Sequence, residues 1–231
     1  MHRPILRGLR RSLVELTPRD HRDTTANLRR RQLVCAAVVL VGAATLAWSL
    51  RIEPGSVWFY PATFALAAVW AAGAFASGRL HLGRIGGEIS RRPLLPPVLI
   101  GLGLAGVFLL GALVVREVPW LAGRVRDVLD YADQGSVPLL LVITAVNGIA
   151  EELFFRGALY AAIPRHPVLW TTLAYGLATA ATGNPMLAFA ALLLGAVVGL
   201  QRRASGGVLA PILTHVTWSV SMLFLLPLVL G

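Results

Sequence analysis

Two carboxylates and an arginine lie inside a hydrophobic segment, in the stretch NGIAEELFFRGALY. Glu152 and Arg156 are four residues apart, so on a helix they share one face and can form an ion pair. Glu151 points about 100° further round the same helix and is not neutralised by that arginine. A carboxylate without a cation partner can take a proton from water, which is the work of a general base. The pattern predicts Glu151 as the base and Glu152 with Arg156 as a structural pair.

His215 is a further ionisable side chain within an apolar run. Insertion scales give a cost of about 2.5–3.5 kcal/mol for each charged side chain at the centre of a membrane helix, so such groups must pair or face a polar cavity. A helix rise of about 1.5 Å per residue puts Glu151, Thr179 and His215 at one depth. That depth predicts a site reached from the cytoplasm or from the inner leaflet.

The composition is that of a membrane protein. The 231 residues are 56% hydrophobic and 14% charged, and the mean hydropathy is +0.71, which is too apolar for a soluble domain. All 21 basic residues are arginine and the net charge is +10. Nine arginines precede residue 32 and most others lie between apolar runs, as in a chain that crosses a bilayer. The distribution therefore argues against nucleic acid and for the lipid bilayer as a partner.

The apolar runs predict an all-α, polytopic fold with about seven transmembrane helices. They cover residues 33–50, 57–77, 95–115, 137–161, 168–183, 186–201 and 207–229. The fifth and sixth are short and are joined only by the turn TGNP, so six spans plus a re-entrant pair is the alternative. Residues 33–231 are thus assigned to one transmembrane domain.

Residues 1–32 form an arginine-rich leader that is read either as an amphipathic surface helix or as a disordered basic segment. The helical interpretation rests on apolar positions with the spacing of one helix face, namely Ile5, Leu6, Leu9, Leu13 and Leu16. Loop counting places sixteen arginines on the side of the leader and four on the other, so the positive-inside rule predicts a cytoplasmic N-terminus. The use of arginine without lysine hints at a bacterial protein of the inner membrane.

The motif EELFFR resembles the EExxxR motif of the CPBP family of intramembrane proteases, which includes the CAAX prenyl endopeptidases and the Abi or bacteriocin-processing proteins. The later stretch LLLGAVVGLQRRASGGVLAPILTHVTWS, from Leu192 to Ser219, is similar to the closing signature of that family. The resemblance covers about residues 137–222.

The resemblance implies a membrane hydrolase of the metalloendopeptidase class that cuts a peptide bond in a membrane-embedded or lipidated peptide. Carried over residue by residue, Glu151 is the base, Glu152 and Arg156 are the structural pair, and His215 is an oxyanion donor or a ligand. Some members of the family are implied to use a divalent metal. Here zinc would have Glu151 and His215 as its ligands, and no second histidine or cysteine has the spacing of a zinc site with two histidines and a glutamate.

Two positions depart from the family pattern. The middle motif, an aromatic residue followed four residues later by histidine, reads YGLAT, so Tyr175 matches and Thr179 replaces the histidine. The last motif, HxxxN, reads HVTWS, so Ser219 replaces asparagine. Thr179 has no basic nitrogen, whereas Ser219 can still donate a hydrogen bond to an oxyanion. The predicted site consists of Glu151, Thr179, His215 and Ser219.

Two other functions are compatible with these residues. A catalytically impaired family member would keep the ion pair for folding and act as a membrane scaffold or as a regulatory partner of another protein. A small transporter could use the buried charges as a proton relay, but no paired inverted repeat is visible.

Overall fold

The computed structural model describes residue 8 and residues 10–14, 16–17, 23–84 and 94–231. In this part of the chain the regular structure is entirely helical, which confirms the all-α prediction. The helices are α1 (Thr25–Ser49), α2 (Phe59–Ser77), α3 (Leu95–Val115), α4 (Pro119–Asp133), α5 (Val137–Glu152), α6 (Pro167–Ala180), α7 (Pro185–Ser205), α8 (Leu209–Leu225) and the short α9 (Pro227–Leu230). Helix α5 continues through a π-helical turn, Leu153–Leu159, into Tyr160–Ala162.

Six helices of the described chain are long and apolar enough to cross a membrane. They are α1, α2, α3, α5 with its continuation, α7, and α8 with α9. The predicted polytopic membrane fold is therefore confirmed. Helix α6 has 14 residues, or about 21 Å at 1.5 Å per residue, and is shorter than a hydrocarbon core of about 30 Å. The sequence predicts about seven spans, and six helices of the described chain have the required length and hydropathy. Helix α6, in the fifth predicted run, is shorter and pairs with α7.

Helices α6 and α7 form an antiparallel hairpin whose contact surface consists of small residues. A Cβ atom on Gly199 would lie 3.0 Å from Val168, and one on Gly176 would overlap Leu192. Glycine at these positions lets the two backbones approach closely. The N-terminus of α7 is held by Asn184, whose Oδ1 accepts hydrogen bonds from two backbone N–H groups of the first turn.

The predicted leader helix falls partly outside the described residues, which omit 1–7, 9, 15 and 18–22. Within the described part, the Thr17 hydroxyl donates to the carbonyl of Ala204 at 2.5 Å, which fastens the leader to the end of α7. Helix α1 begins at Thr25, earlier than the predicted residue 33, and so carries the last arginines of the leader within its first turns.

The segment between the third and fourth predicted spans was expected to be a loop but contains helix α4. Ala122, Val125 and Leu129 recur at intervals of three and four residues and pack against the end of the chain at Leu226 and Leu230. Five charged residues interrupt this pattern, which made the segment too polar for a span and hid its helical period. The apolar face of α4 therefore covers one end of the bundle.

Hydrogen bonds tie α4 to two other connections at that end. The Tyr131 hydroxyl donates to the carbonyls of Leu50 and Ile52, at 3.1 and 2.5 Å, and Asn184 Nδ2 donates to the Arg124 carbonyl at 2.6 Å. Burial raises the pKa of Tyr131, so its hydroxyl keeps the proton that it donates at neutral pH. These bonds make α4 a fixed part of the bundle.

The opposite end carries most of the arginines and is closed by backbone pairing. The Arg84 N–H donates to the Ser205 carbonyl at 2.8 Å, and the Val208 N–H donates to the His81 carbonyl at 2.9 Å. Gly83, with φ of +84°, lies too close to the opposing strand of backbone for any side chain. This pairing joins the chain after α2 to the turn between α7 and α8.

The core places α5 through aromatic packing. The Trp70 ring of α2 lies 5.0 Å, centroid to centroid, from each of Phe154 and Phe155. On its other side it fills the space beside Gly42 of α1, where a Cβ atom would overlap the ring. The π-helical turn of α5, and with it the EELFFR motif, is thus packed directly against α1 and α2.

Candidate active site

The centre of the bundle holds a fully buried ion pair. Glu152 and Arg156 have no solvent exposure, and Arg156 Nη1 donates to Glu152 Oε1 at 3.0 Å. Glu152 is the last residue of the α-helical part of α5, and Arg156 lies in the π-helical turn. The two side chains predicted to be paired are therefore in contact, one turn apart on the same helix.

Neighbouring helices make room for the Arg156 side chain and satisfy its backbone. Arg202 of α7 donates from Nε to the Arg156 carbonyl at 2.7 Å. A Cβ atom on Gly195 of α7 would lie 3.1 Å from Arg156 Nη2, so a larger residue there would crowd the guanidinium. Gly195 and Gly199 form a GxxxG pair on α7, in which Gly199 serves the α6 contact and Gly195 the ion pair.

His215 of α8 lies between the two carboxylates. Its Nδ1 is 2.8 Å from Glu152 Oε1, and its Nε2 is 3.9 Å from Glu151 Oε2. Because Glu152 Oε1 also accepts from Arg156 as a carboxylate, Nδ1 is the nitrogen that carries the proton. Helix α8 is held on α3 by Thr214, whose hydroxyl donates to the Pro97 carbonyl at 2.8 Å.

Glu151 has a hydrogen-bond partner of its own. The Tyr175 hydroxyl of α6 donates to Glu151 Oε2 at 2.5 Å. The Tyr175 ring also faces the Arg156 guanidinium, whose central carbon is 4.9 Å from the ring centroid. The sequence predicts that Arg156 does not neutralise this carboxylate, and in the structure α6 supplies it with an uncharged donor.

A cavity of about 560 Å³ begins at Glu151 and extends towards α4. Apolar side chains from α1, α2, α3, α7 and α8 form most of its wall, and the polar residues at its Glu151 end include Asn147, Tyr175, Thr179 and Ser219. The lining residues come from the α4 side of the bundle and not from the arginine-rich end. The prediction of access from the arginine-rich side differs from this geometry, because helical depth alone does not tell on which side of a residue a cavity opens.

The two residues that depart from the family pattern both line this cavity. The Thr179 hydroxyl donates to the Tyr175 carbonyl one turn earlier at 2.9 Å, so it is engaged with its own helix. Asn147 also lines the cavity, one turn before Glu151 on α5. Sequence reasoning did not assign it a role, although the i, i+4 spacing from Glu151 was a usable signal.

The donor set does not fit a catalytic zinc ion. Such a site uses three protein ligands, and within the described residues no group of three His, Cys, Asp or Glu side chains is placed to hold a metal. Glu151 and His215 Nε2 supply two donors, and Thr179 stands where a third nitrogen is expected from the family pattern. The reaction proposed below therefore uses no metal ion.

Residues 133–221 match the family model described as Rce1-like, type II CAAX prenyl endopeptidase Rce1-like. This region of the chain is therefore similar to the Rce1-like CAAX prenyl endopeptidases. The resemblance found in the sequence is thereby confirmed. No curated protein and no solved structure matches the chain. The Rce1-like region covers less than half of the chain and contains α5 to α7 and most of α8, which carry all three motifs.

The Rce1-like motifs converge although they are far apart in the chain. Glu151 comes from α5, Tyr175 and Thr179 from α6, and His215 and Ser219 from α8. Three side-chain contacts of Glu151 and Glu152, one with Tyr175 and two with His215, join these helices. The arrangement sets one carboxylate in a charge-balanced core and the other at a cavity wall.

Breaking the buried pair should destabilise the protein. We expect Arg156→Met to lower the free energy of unfolding by roughly 3–5 kcal/mol, since it leaves the Glu152 charge without its cation. The measurement is reversible unfolding in detergent micelles. Glu117→Gln is the matched control because it breaks an exposed ion pair with Arg116, and it should leave unfolding unchanged. Equal stability of Arg156→Met and the wild type would contradict the structural role of the pair.

Proposed function

We propose that the protein is an intramembrane endopeptidase in which Glu151 is the general base. It hydrolyses a peptide bond in a membrane-embedded or lipidated peptide. The observation that carries this proposal is the position of Glu151 at the wall of the cavity beside a second glutamate whose charge Arg156 already balances. The family description, a prenyl endopeptidase, supports the same class of reaction.

All protein groups that take part in the proposed reaction belong to this chain. Glu151 takes a proton from a water molecule, and the water oxygen forms a bond to the carbonyl carbon of the substrate. The carbonyl oxygen becomes an oxyanion, to which the Ser219 hydroxyl donates a hydrogen bond. When the C–N bond breaks, Glu151 returns the proton to the leaving amine. Atoms and charges balance without a metal or a covalent intermediate.

His215 has a supporting role in this reaction. Its Nδ1–H is committed to Glu152, which fixes the orientation of the imidazole ring. A donor role towards the oxyanion requires a proton on Nε2 as well. With that proton, His215 adds a second donor to that of Ser219.

The walls of the cavity favour an apolar substrate. Phe108, Phe189 and Leu193 are among the side chains that line it, and its volume of about 560 Å³ is within the range of pockets that hold small ligands. An isoprenoid chain or an apolar helix residue can fill such a space. Polar residues at the Glu151 end leave that end for the peptide bond itself.

The first test is cleavage by purified protein in liposomes. The substrates are a transmembrane peptide and a peptide with an isoprenoid on a C-terminal cysteine, in water enriched in ¹⁸O. Wild type should cut one of them and place ¹⁸O in the new carboxylate, which mass spectrometry detects. Glu151→Gln should lose activity by roughly 10²–10⁴-fold, since it removes the base. Glu117→Gln is the control and should cut at the wild-type rate.

Two further arms separate the alternatives. Cleavage by Thr179→His but not by wild type would contradict the enzyme and favour the scaffold function. Activity that disappears with a chelator would reveal a metal that Glu151 and His215 do not account for. Cleavage by Glu151→Gln at the wild-type rate would remove Glu151 from the reaction.

Narrowing the cavity should affect substrate binding. Gly111 lines the cavity and has open space around an added Cβ, so Gly111→Leu reduces the volume without a clash. We expect KM for the isoprenoid peptide to rise about tenfold, since one displaced apolar group is worth about 1–3 kcal/mol. Gly103→Leu is the matched control on the same helix, because it also meets open space and does not line the cavity. The same KM for both variants would place the substrate elsewhere.

We further propose that the protein lies in a bacterial inner membrane with its arginine-rich end in the cytoplasm. Glu117 and Arg165 are exposed and lie near opposite ends of the bundle. In intact cells, a membrane-impermeant maleimide should label Glu117→Cys and should not label Arg165→Cys. The buried Cys35 serves as the internal background. Labelling of Arg165→Cys alone would reverse the orientation.

A further inference from the structure

The place of the missing histidine is next to a residue that already contacts the base. Thr179 replaces that histidine, and its hydroxyl is bound to the carbonyl of Tyr175. Tyr175, one turn earlier on α6, reaches Glu151 Oε2 at 2.5 Å. In the family pattern this side of α6 carries an imidazole. Here it carries a phenol that donates a hydrogen bond to the Glu151 carboxylate.

We propose that Tyr175 is the positioning residue that lets Glu151 act without the middle-motif histidine. The inference rests on the proposed hydrolytic function and assigns Tyr175 a role that the aromatic position of the motif does not by itself carry. The Tyr175 hydroxyl holds one oxygen of the carboxylate, and the other oxygen receives the proton from water.

Three observations support the assignment. Tyr175 and His215 both approach Glu151 Oε2, the first at 2.5 Å and the second at 3.9 Å, which leaves Oε1 for the water. The Tyr175 ring is fixed between Phe155, at 4.8 Å between centroids, and Arg156, so the hydroxyl has little freedom to move. Tyr175 also lines the cavity beside Glu151. A fixed donor of this kind keeps a carboxylate in one orientation through the reaction.

The proton balance is compatible with this role. Tyr175 keeps its own proton and donates it only as a hydrogen bond, because a phenol is a weak acid that stays protonated at neutral pH. The proton of the water goes to Glu151 and from there to the leaving amine. Tyr175 therefore orients the base and takes no proton, so it does not duplicate the histidine but makes it dispensable.

The test compares Tyr175→Phe with the wild type in liposomes. Phenylalanine keeps the ring packing and removes only the hydroxyl, so the fold is retained. We expect kcat to fall by roughly 100-fold, the cost of a misplaced catalytic group, with KM unchanged. Tyr60→Phe is the matched control, because its hydroxyl accepts from the Ser136 backbone N–H outside the site. Tyr60→Phe should keep the wild-type kcat.

Rescue separates positioning from a purely structural role. In the Tyr175→Phe background, Thr179→His places an imidazole on the same face of α6, one turn along, and should restore part of kcat. A loss of packing at residue 175 would not be repaired by a change at residue 179. An equally low kcat in the double variant would overturn the inference that Tyr175 makes the middle-motif histidine dispensable.

A spectroscopic readout keeps the inference testable apart from cleavage. The infrared carboxylate bands that vanish in Glu151→Gln belong to Glu151, and they should shift in Tyr175→Phe because a strong hydrogen bond is lost. A shift without cleavage by the wild type would support the Tyr175 contact and overturn the proposed function. Unshifted bands, or a wild-type kcat in Tyr175→Phe, would overturn the role of Tyr175 and leave the proposed function standing.

Discussion

The buried ion pair of Glu152 and Arg156 governs how the helices around it pack. Removing two charges from water costs several kcal/mol per ion, and their attraction compensates only if further polar contacts are made. Within the described residues, the pair receives one from His215 and one from the face of the Tyr175 ring, while Glu152 Oε2 and Arg156 Nε and Nη2 make no hydrogen bond. Helices α6 and α8 thus supply polar contacts to the ion pair that α5 cannot make alone.

The two neighbouring glutamates have different roles because their surroundings differ. Glu152 is enclosed and balanced by a cation, so it serves the fold and orients His215. Glu151 is held by a neutral hydroxyl at a cavity wall, so its carboxylate is restrained but not neutralised. Two adjacent residues of the same type acquire different chemistry because successive positions on a helix face different neighbours.

The shape of the cavity follows from the two short helices α4 and α6. Helix α6 ends at Ala180, soon after Thr179, and the turn that follows is bound by α4 through Asn184. Helix α4 in turn packs its apolar face on α9. Space therefore remains between the end of α6, the face of α4 and the long helices α3 and α7. A substrate that reaches Glu151 through this space passes apolar side chains for most of the way, which suits a peptide delivered by the bilayer.

The sequence by itself determined the membrane class, the positions of the long helices and the pairing of Glu152 with Arg156, because these depend on composition and on contacts within one helical turn. It could not reveal α4, whose charged residues interrupt its apolar period, and it left open whether the short α6 spans the membrane. Only the tertiary structure decided that Tyr175 bonds Glu151, that His215 turns Nδ1 to Glu152, and that the cavity opens towards α4. Those outcomes depend on how helices rotate and cross, and a rotation is set by packing among residues such as Gly195 and Trp70 that lie far apart in the chain.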